Sequence, residues 1–594
     1  MPSDHLLTAS PRQRRGWRRL LRPATLALLG LGVWLVVVGL TLTWARNDAA
    51  RGLDLIEQAR SRSSPADLAQ GRPAGPLREA RSSFESSSRL LGSPVLAPLR
   101  LLPVAGRQLR SGHALTKAAA EVAGAGVDAV SGASSALARP HGSGPERVAL
   151  LRELSGVAGR AAERLRRVDL GPGRALVGPL ASRRRQLADE LDRARTGLHD
   201  GRVALTGLAD LLAGPRRYLV LAANNSEMRA GSGMFLSIGE LTTANGDLSL
   251  GDFRPAAEYL LPPQLAPPIE DPDLAGRWGW LEPNREWRNL AASPRFPASA
   301  ALASRMWAAT GGGAVDGVLA LDPLGVQAVV RATGPVDVGG RTVTADGVDD
   351  LLLHDQYAGL RGSDTAAQAA RREQLGVIAK SALVALQTRD WDAGQLSSGL
   401  AQAARGRHLM AWSARPEEQR AWSAAKLNGA IGPSSLVVSV LNQAGNKLDR
   451  FLHVEATLRF ERQARSVGAT LQVLLQNTTP DGEPPYVTGP FPGSGLAAGD
   501  YAGILSVNLP GGAGSITVEG RETFSAAGSD GPTKVVAVPV SVKKGGAQSF
   551  TLRFRLPQGH GPLRVEPSAR VPAVAWSTPG GSFESGEARS VAVG

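Results

Sequence analysis

The strongest feature of the hydrophobic pattern is one long apolar run close to the N-terminus. Residues 24–44 read ATLALLGLGVWLVVVGLTLTW, without a charged side chain. As a helix this run is about 31 Å long, which matches the hydrocarbon core of a bilayer. Six arginines precede it, so the positive-inside rule predicts a basic cytoplasmic tail at residues 1–23. Because no comparable run follows, the rest of the chain is expected outside the cytoplasm, from residue 46 onward.

A cleaved signal peptide is the alternative interpretation of this run. A signal peptide has an apolar core of about 7–15 residues that ends at a cleavage site of small residues. The run here is longer, and the only cleavage site nearby, at Thr43 and Ala45, is a poor one. The pattern therefore predicts a retained signal anchor that spans the plasma membrane once.

From residue 46 to 215, apolar positions recur at helical spacing with charged residues between them. This pattern predicts an extracytoplasmic helical bundle or stalk. The stretch LLGSPVLAPLRLLPVAGRQL at 90–109 interrupts it with three prolines, which predicts a bent connector or a kinked apolar segment.

Strand-like patterns begin at RRYLVLAA, residues 216–223. Two β-rich arms flank Asn245 and Gly246, a pair that predicts a hairpin turn. Asp322 followed by Pro323 predicts the start of a helix, with the aspartate as its cap. Strands alternate with helical stretches here, so residues 216–446 are predicted to form a central mixed α/β domain with a helical segment.

The C-terminal part, residues 447–594, has about seven short β-rich stretches separated by turn residues. This spacing predicts a β-sandwich. The predicted fold class is therefore α+β and multidomain: a transmembrane helix, a helical stalk, a central α/β domain and a β-sandwich.

Composition narrows the functional classes. The chain is 43% hydrophobic and 20% charged, as folded proteins are, and its net charge is +14. The basic excess lies before residue 218, and it reflects either compositional bias toward arginine or attraction to anionic lipids and envelope polymers. Nucleic acid is not an expected partner, since this basic part is predicted to lie outside the cytoplasm. With no cysteine, disulfides and thiolate chemistry are excluded.

Five separated stretches together carry a family resemblance: residues 218–235, 289–307, 315–338, 441–452 and 473–489. They resemble one family, the bacterial domain of unknown function 4012. The resemblance extends over most of the chain from about residue 90, and it implies a membrane-anchored envelope protein of Gram-positive bacteria, associated with cell-surface polysaccharide. Arg295 stands where the family often has an acidic residue, which argues against a metal bound at that position.

The densest polar stretch, NNSEMRAGSG, follows the first strand and is a candidate anion site. Glycines that expose backbone N–H groups beside an arginine could hold a phosphate. The alternative is a tight turn in which the glutamate pairs with an arginine. The candidate residues are Asn224, Asn225, Glu227, Arg229, Gly231 and Gly233, with Arg254, Arg331 and Arg361 as further anion ligands.

Two functional hypotheses remain from different classes. The preferred one is a non-enzymatic scaffold or binding component for envelope glycopolymers, because no G-x-S-x-G motif, P-loop or histidine pair is present. It requires no cofactor or metal. The alternative is a phosphotransferase similar to the LytR-CpsA-Psr enzymes, which attach lipid-linked glycopolymers. It would use Arg229 on a pyrophosphate and Mg²⁺ on carboxylates, with Asp252, Asp316 and Asp322 as the candidates. Three tryptophans either stack on sugars or fill a core: Trp278, Trp280 and Trp287.

Overall fold

The apolar run lies inside one long helix, α1, which extends from Trp17 to Ser61. The computed structural model describes residues 17–139, 142–357, 365–491 and 493–593, so most of the predicted cytoplasmic tail lies outside it. Within those residues, one helical stretch, Leu29–Ser61, is long and apolar enough to cross a membrane by length and composition. Most of its apolar side chains are exposed, as expected of a helix that contacts lipid.

Helices dominate the chain from α1 to residue 213. The small side chains of Ala80, Ala120 and Ala123 allow close approach of neighbouring helices around Phe84. A 3₁₀ turn at Pro94–Leu96 occupies the proline-rich stretch. The further helices are α2 Pro65–Ala69, α3 Ala74–Gly92, α4 Ala97–Arg100, α5 Pro103–Leu137, α6 Gly144–Arg166 and α7 Gly178–Ala213.

The chain divides into two compact units. One comprises the chain up to Ser63 together with Gln70–Ser134 and Val157–His199. The other comprises Ser64–Ala69, Ser135–Gly156 and everything from Asp200 onward. The second unit holds the sheets and the candidate functional residues.

A mixed sheet of six strands forms the centre of the second unit. Its order is β3-β2-β1-β5-β8 with β4 on β2, and β1 is parallel to β5 and antiparallel to β2. The strands are β1 Arg216–Met228, β2 Gly233–Ala244, β3 Asp247–Leu250, β4 Arg254–Pro255, β5 Gly317–Leu321 and β8 Leu409–Ser413, and a separate pair is β6 Val336–Val338 with β7 Arg341–Val343. The helices are α8 Pro272–Trp278, α9 Phe296–Ala309, α10 Pro323–Thr333, α11 Val348–Leu353, α12 Thr365–Thr388, α13 Ala393–Arg405 and α14 Pro416–Ala424.

Two local predictions for this region are confirmed. Asn245 and Gly246 both have positive φ, 51° and 85°, and they join β2 to β3 as a tight hairpin turn. The carboxylate of Asp322 accepts the N–H groups of Leu324 and Gly325 and so caps α10.

Two further six-stranded sheets occupy the C-terminal part, and their facing side chains form one hydrophobic cluster that includes Leu471 and Leu505. The sheet orders are β13-β16-β11-β10-β18-β19 and β14-β15-β12-β9-β17-β20. The elements are β9 Ser435–Asn442, β10 Leu452–Arg462, β11 Ser466–Asn477, α15 Pro485–Thr488, β12 Tyr501–Pro510, β13 Gly514–Val518, β14 Ala526–Asp530, β15 Thr533–Val542, β16 Ala547–Pro557, β17 Leu563–Val565, β18 Ala575–Thr578, β19 Gly581–Glu584 and β20 Arg589–Val591.

The α+β class is therefore as predicted, with an apolar N-terminal helix, a helical region and mixed sheets. Strand β9 precedes residue 447, the predicted start of the C-terminal domain, yet it pairs with β12 in one of the two C-terminal sheets. The domain limits themselves stay predictions.

Candidate functional site

The polar stretch after the first strand is a buried bulge and turn rather than an exposed loop. Strand β1 continues to Met228, but its pairing with β2 shifts between Asn224 and Met228. The three residues between them have no partner on β2, so the strand bulges there and its side chains point to both sides. The N–H of Arg229 then donates to the carbonyl of Ser232, at 2.8 Å, and closes the turn.

Gly231 and Gly233 lie where neighbouring backbone leaves no room for a side chain. A side chain at Gly233 would come within 2.4 Å of the Asn224 carbonyl. A side chain at Gly231 would come within 2.7 Å of the Ser293 carbonyl, and the Gly231 N–H already donates to the carbonyl of Ala291. These glycines are therefore required by the fold.

Asn225 is fully buried and acts as a bridge within the protein. Its side-chain amide donates to the Asp322 carboxylate at 2.8 Å and to the carbonyl of Ala569 at 2.6 Å. The same carboxylate contacts Nδ1 of His408, at 2.6 Å. The Asp322 carboxylate thus bonds to Asn225 of β1, to the start of α10 and to His408 in the loop before β8. These protein partners account for its burial without a ligand.

Arg229 is also turned into the protein. One guanidinium nitrogen donates to the carbonyls of Met228 and Asn442, at 3.0 and 2.8 Å, and the others reach the amide oxygen of Asn289. Burial, only partly offset by Glu227 and Asp449, lowers the pKa of Arg229. These four hydrogen bonds use four of the five N–H donors of Arg229 within the protein.

The other predicted arginines are not gathered around Arg229. Arg254 is exposed on the short strand β4. Arg331 is exposed on α10, where it pairs with Asp346. Arg361 lies outside the described residues. The structure therefore does not bring the described arginines together in one anion site.

Glu227 and Lys447, which are 220 residues apart in the sequence, form a buried ion pair. Their side chains are 9% and 7% exposed. Burial disfavours the charge on Lys447, but the attraction of Glu227 and of two tyrosines outweighs burial and raises the pKa of the lysine. Lys447 is therefore charged over the whole neutral range.

Two stacked tyrosines flank this ion pair. The rings of Tyr357 and Tyr486 have centroids 5.7 Å apart and planes inclined by 21°. The ammonium of Lys447 lies 5.5 Å and 5.2 Å from the two ring centroids, within the range of cation–π attraction. The amide of Asn224 donates to the hydroxyl of Tyr357, at 2.7 Å, which fixes the ring.

These side chains line a cavity of about 490 Å³, which we call the tyrosine cavity. Its polar lining includes Asn224, Glu227, Ser237, Lys447, Arg288 and Gln356 together with the two tyrosines, and its apolar lining includes Met234, Leu236, Leu352 and Phe491. Arg288 is partly exposed and is held by the Glu286 carboxylate. The cavity thus combines aromatic faces, amides and charges, as ligand sites do.

Sequence reasoning found two members of this lining and missed the others. Asn224 and Glu227 were candidates for an anion site, whereas Lys447, Tyr357 and Tyr486 were not singled out. Lys447 and Tyr486 do lie in two of the stretches that carry the family resemblance. A buried glutamate requires a cation, but the sequence does not mark Glu227 as buried, so only the structure points to Lys447.

The remaining candidates have structural environments. Trp278 and Trp287 are fully buried in the core beside the central sheet, whereas Trp280 is 55% exposed. Asp252 pairs with Lys380, and Asp316 accepts the N–H of Arg217. Among the described residues, no group of three histidine, cysteine or carboxylate side chains is placed to hold a metal ion.

Residues 213–357 match the family model described as a protein of unknown function (DUF4012). The predicted family resemblance is thereby confirmed for this part of the chain. Searches of curated proteins and of solved structures gave no significant match. The matched residues include the bulge and Tyr357, while Lys447 and Tyr486, which complete the cavity, follow them in the sequence.

Proposed function

We propose that this protein, whose residues 213–357 belong to the DUF4012 family, is a non-enzymatic binding component of the bacterial cell envelope. Helix α1 anchors it in the plasma membrane, and the tyrosine cavity on the extracytoplasmic side accepts a segment of a surface polysaccharide. The observation that carries this proposal is the stacked pair Tyr357 and Tyr486 beside Lys447 and Asn224.

The cavity has the chemistry that a sugar ring requires. A sugar offers apolar C–H faces, which pack on aromatic rings, and hydroxyl groups, which bond to amides and charged groups. The lining supplies both kinds of surface, and a volume of about 490 Å³ falls within the range of ligand pockets. The ion pair of Glu227 and Lys447 offers an acceptor and a donor side by side.

In this proposal the helical region serves as a stalk, and the two C-terminal sheets form a β-sandwich around their shared core. Lys447 and Tyr486 come from that C-terminal part, whereas Asn224 and Tyr357 come from the central region. The ligand would therefore contact both regions, and binding would stabilise their association.

The phosphotransferase alternative gains no support from the arrangement of the arginines. That activity requires several cations on one pyrophosphate. Arg229 is bonded to protein carbonyls and an amide, Arg254 lies exposed on β4, and Arg331 pairs with Asp346. A binding role fits the cavity better than this reaction does.

A strain that lacks the gene tests the proposal when it is complemented with matched variants. Tyr486→Ala removes one wall of the cavity, and Trp280→Ala removes an exposed aromatic ring outside it. Cell-bound and shed polysaccharide are measured, with the level of each variant in the membrane checked by immunoblot. We expect the deletion to shift polysaccharide from cells to medium, the Tyr486 variant to fail to reverse this, and the Trp280 variant to reverse it.

The proposal is wrong if the deletion leaves cell-bound polysaccharide unchanged. It is equally wrong if the Tyr486 variant complements as well as the wild type does. Should the Tyr486 variant be missing from the membrane, Gln356→Ala replaces it, because it removes another polar group of the cavity lining and should likewise fail to complement.

A further inference from the structure

A short apolar segment, in the middle of the helical part of the chain, packs beside the membrane helix α1. Residues 94–104, which we call the apolar turn, comprise the 3₁₀ turn, α4 and the start of α5. Ser87, just before this turn, donates to the carbonyl of Ala45 at 2.7 Å. Within the turn, the carbonyl of Val95 accepts the indole N–H of Trp34, at 3.0 Å.

These two hydrogen bonds fix the level of the turn along α1. The chain after Ser87 runs back toward the N-terminal end of α1, because its partner changes from Ala45 to Trp34. Trp34 lies ten residues before Trp44, the last residue of the apolar run, which is about 15 Å along the helix. The turn therefore lies beside the outer half of the predicted membrane span.

The surface of the turn is apolar. Leu101, Leu102 and Val104 are 86%, 51% and 70% exposed, and neighbouring exposed apolar side chains of this kind are typical of a contact with a membrane or a partner. The one charged residue, Arg100, points inward and donates to the carbonyls of Leu91 and Ser93, at 2.8 and 3.2 Å.

The backbone of the turn is also well satisfied within the protein. Irregular backbone is tolerated in lipid only where its polar groups have protein partners. Prolines 94, 98 and 103 have no N–H group to satisfy. The N–H groups with partners inside the turn or at Ser93 are those of Val95, Leu96, Ala97, Leu101 and Leu102.

We propose that the apolar turn inserts into the outer leaflet beside α1 and gives the protein a second contact with the membrane. The partner is the lipid hydrocarbon. Arg107 and Arg110 are exposed on α5 just beyond the turn, and such long basic side chains can extend toward anionic headgroups. The inference rests on the proposed function, because it requires α1 to be in a membrane.

The absence of cysteine from the chain allows a direct test. Single-cysteine variants of the full-length protein are spin-labelled and reconstituted in vesicles of phosphatidylcholine and phosphatidylglycerol. Relaxation by oxygen, which concentrates in lipid, is compared with relaxation by a water-soluble nickel chelate. Leu101→Cys reports the turn, Val36→Cys reports the middle of α1, and Leu53→Cys reports α1 beyond the apolar run; all three side chains are exposed.

We expect the ratio of oxygen to nickel relaxation at residue 101 to match that at residue 36 and to exceed that at residue 53 several-fold. If residue 36 reports lipid and residue 101 reports water, the apolar turn is not inserted, although the anchor stands. If residues 36 and 101 both report water, the anchor itself fails, and the proposed function fails with it. Low relaxation by both reagents at residue 101 would show a protein contact instead and would also overturn the inference.

Discussion

Replacing Lys447 by methionine should destabilise the second unit far more than the loss of one surface charge. The lysine is 7% exposed and its partner Glu227 is 9% exposed. The variant leaves the glutamate buried without a counter-charge, and breaking a buried pair in this way costs about 3–5 kcal/mol. The lost attraction to Tyr357 and Tyr486 adds roughly 0.5–2 kcal/mol for each ring.

A double variant separates the free-energy cost of the uncompensated charge from the cost of losing the contacts that Lys447 makes. Glu227→Gln combined with Lys447→Met removes both charges, so the double variant should recover most of the loss. The matched control is Arg331→Met, in which methionine again replaces a cation, but at an exposed pair with Asp346. That control should cost less than about 1 kcal/mol.

The assay is unfolding of the full-length protein in detergent, followed by tryptophan fluorescence in urea. The order of stability should be wild type, then Arg331→Met close to it, then the double variant, with Lys447→Met clearly lowest. The reasoning is refuted if Lys447→Met costs no more than Arg331→Met. It is also refuted if the double variant is as unstable as the single one.

Three further predictions concern the second unit and the topology. Arg295→Lys should cost about 2–4 kcal/mol in urea unfolding, because lysine cannot keep both bonds to Asp271 and the bond to buried Asp530. Burial raises the pKa of Tyr501 well above its usual value, so its contribution to stability is complete below about pH 10 and is lost as pH rises through the folded pKa. Tyr501→Phe should therefore flatten the alkaline decline in melting temperature. Protease added to intact spheroplasts should digest the chain after about residue 46, and protection of the C-terminal sheets would overturn the topology.

Local signals in the sequence predicted local structure well. The apolar run, the hairpin at Asn245 and Gly246 and the cap at Asp322 depend on residues close together in the chain, and the structure has all three. In strand β11 buried residues alternate with less buried ones, as its pattern of apolar residues indicates. Propensity, turn chemistry and periodicity suffice for such elements.

The polar stretch after β1 shows where local reasoning stops. Asn, Glu, Arg and Gly in succession are typical of an exposed turn, yet residues 224–233 are buried. Their partners lie far along the chain: Lys447 is 220 residues from Glu227, and Ala569 is 344 residues from Asn225. No spacing rule connects such pairs, so the tyrosine cavity could not be assembled from the sequence.

The structural and functional interpretations of this stretch apply to different residues within it. The side-chain N–H groups of Asn225 and the guanidinium of Arg229 bond to protein groups and hold the fold together. Glu227 pairs with Lys447, whereas the structural alternative expected an arginine as its partner. Asn224 and Glu227 instead line the cavity, where a ligand can reach them. The bulge in β1 produces this division, because it breaks the pairing with β2 and directs neighbouring side chains to different sides. Substitution of Asn225 or Arg229 should therefore affect stability foremost, whereas under the proposed function substitution of Asn224 should affect binding foremost.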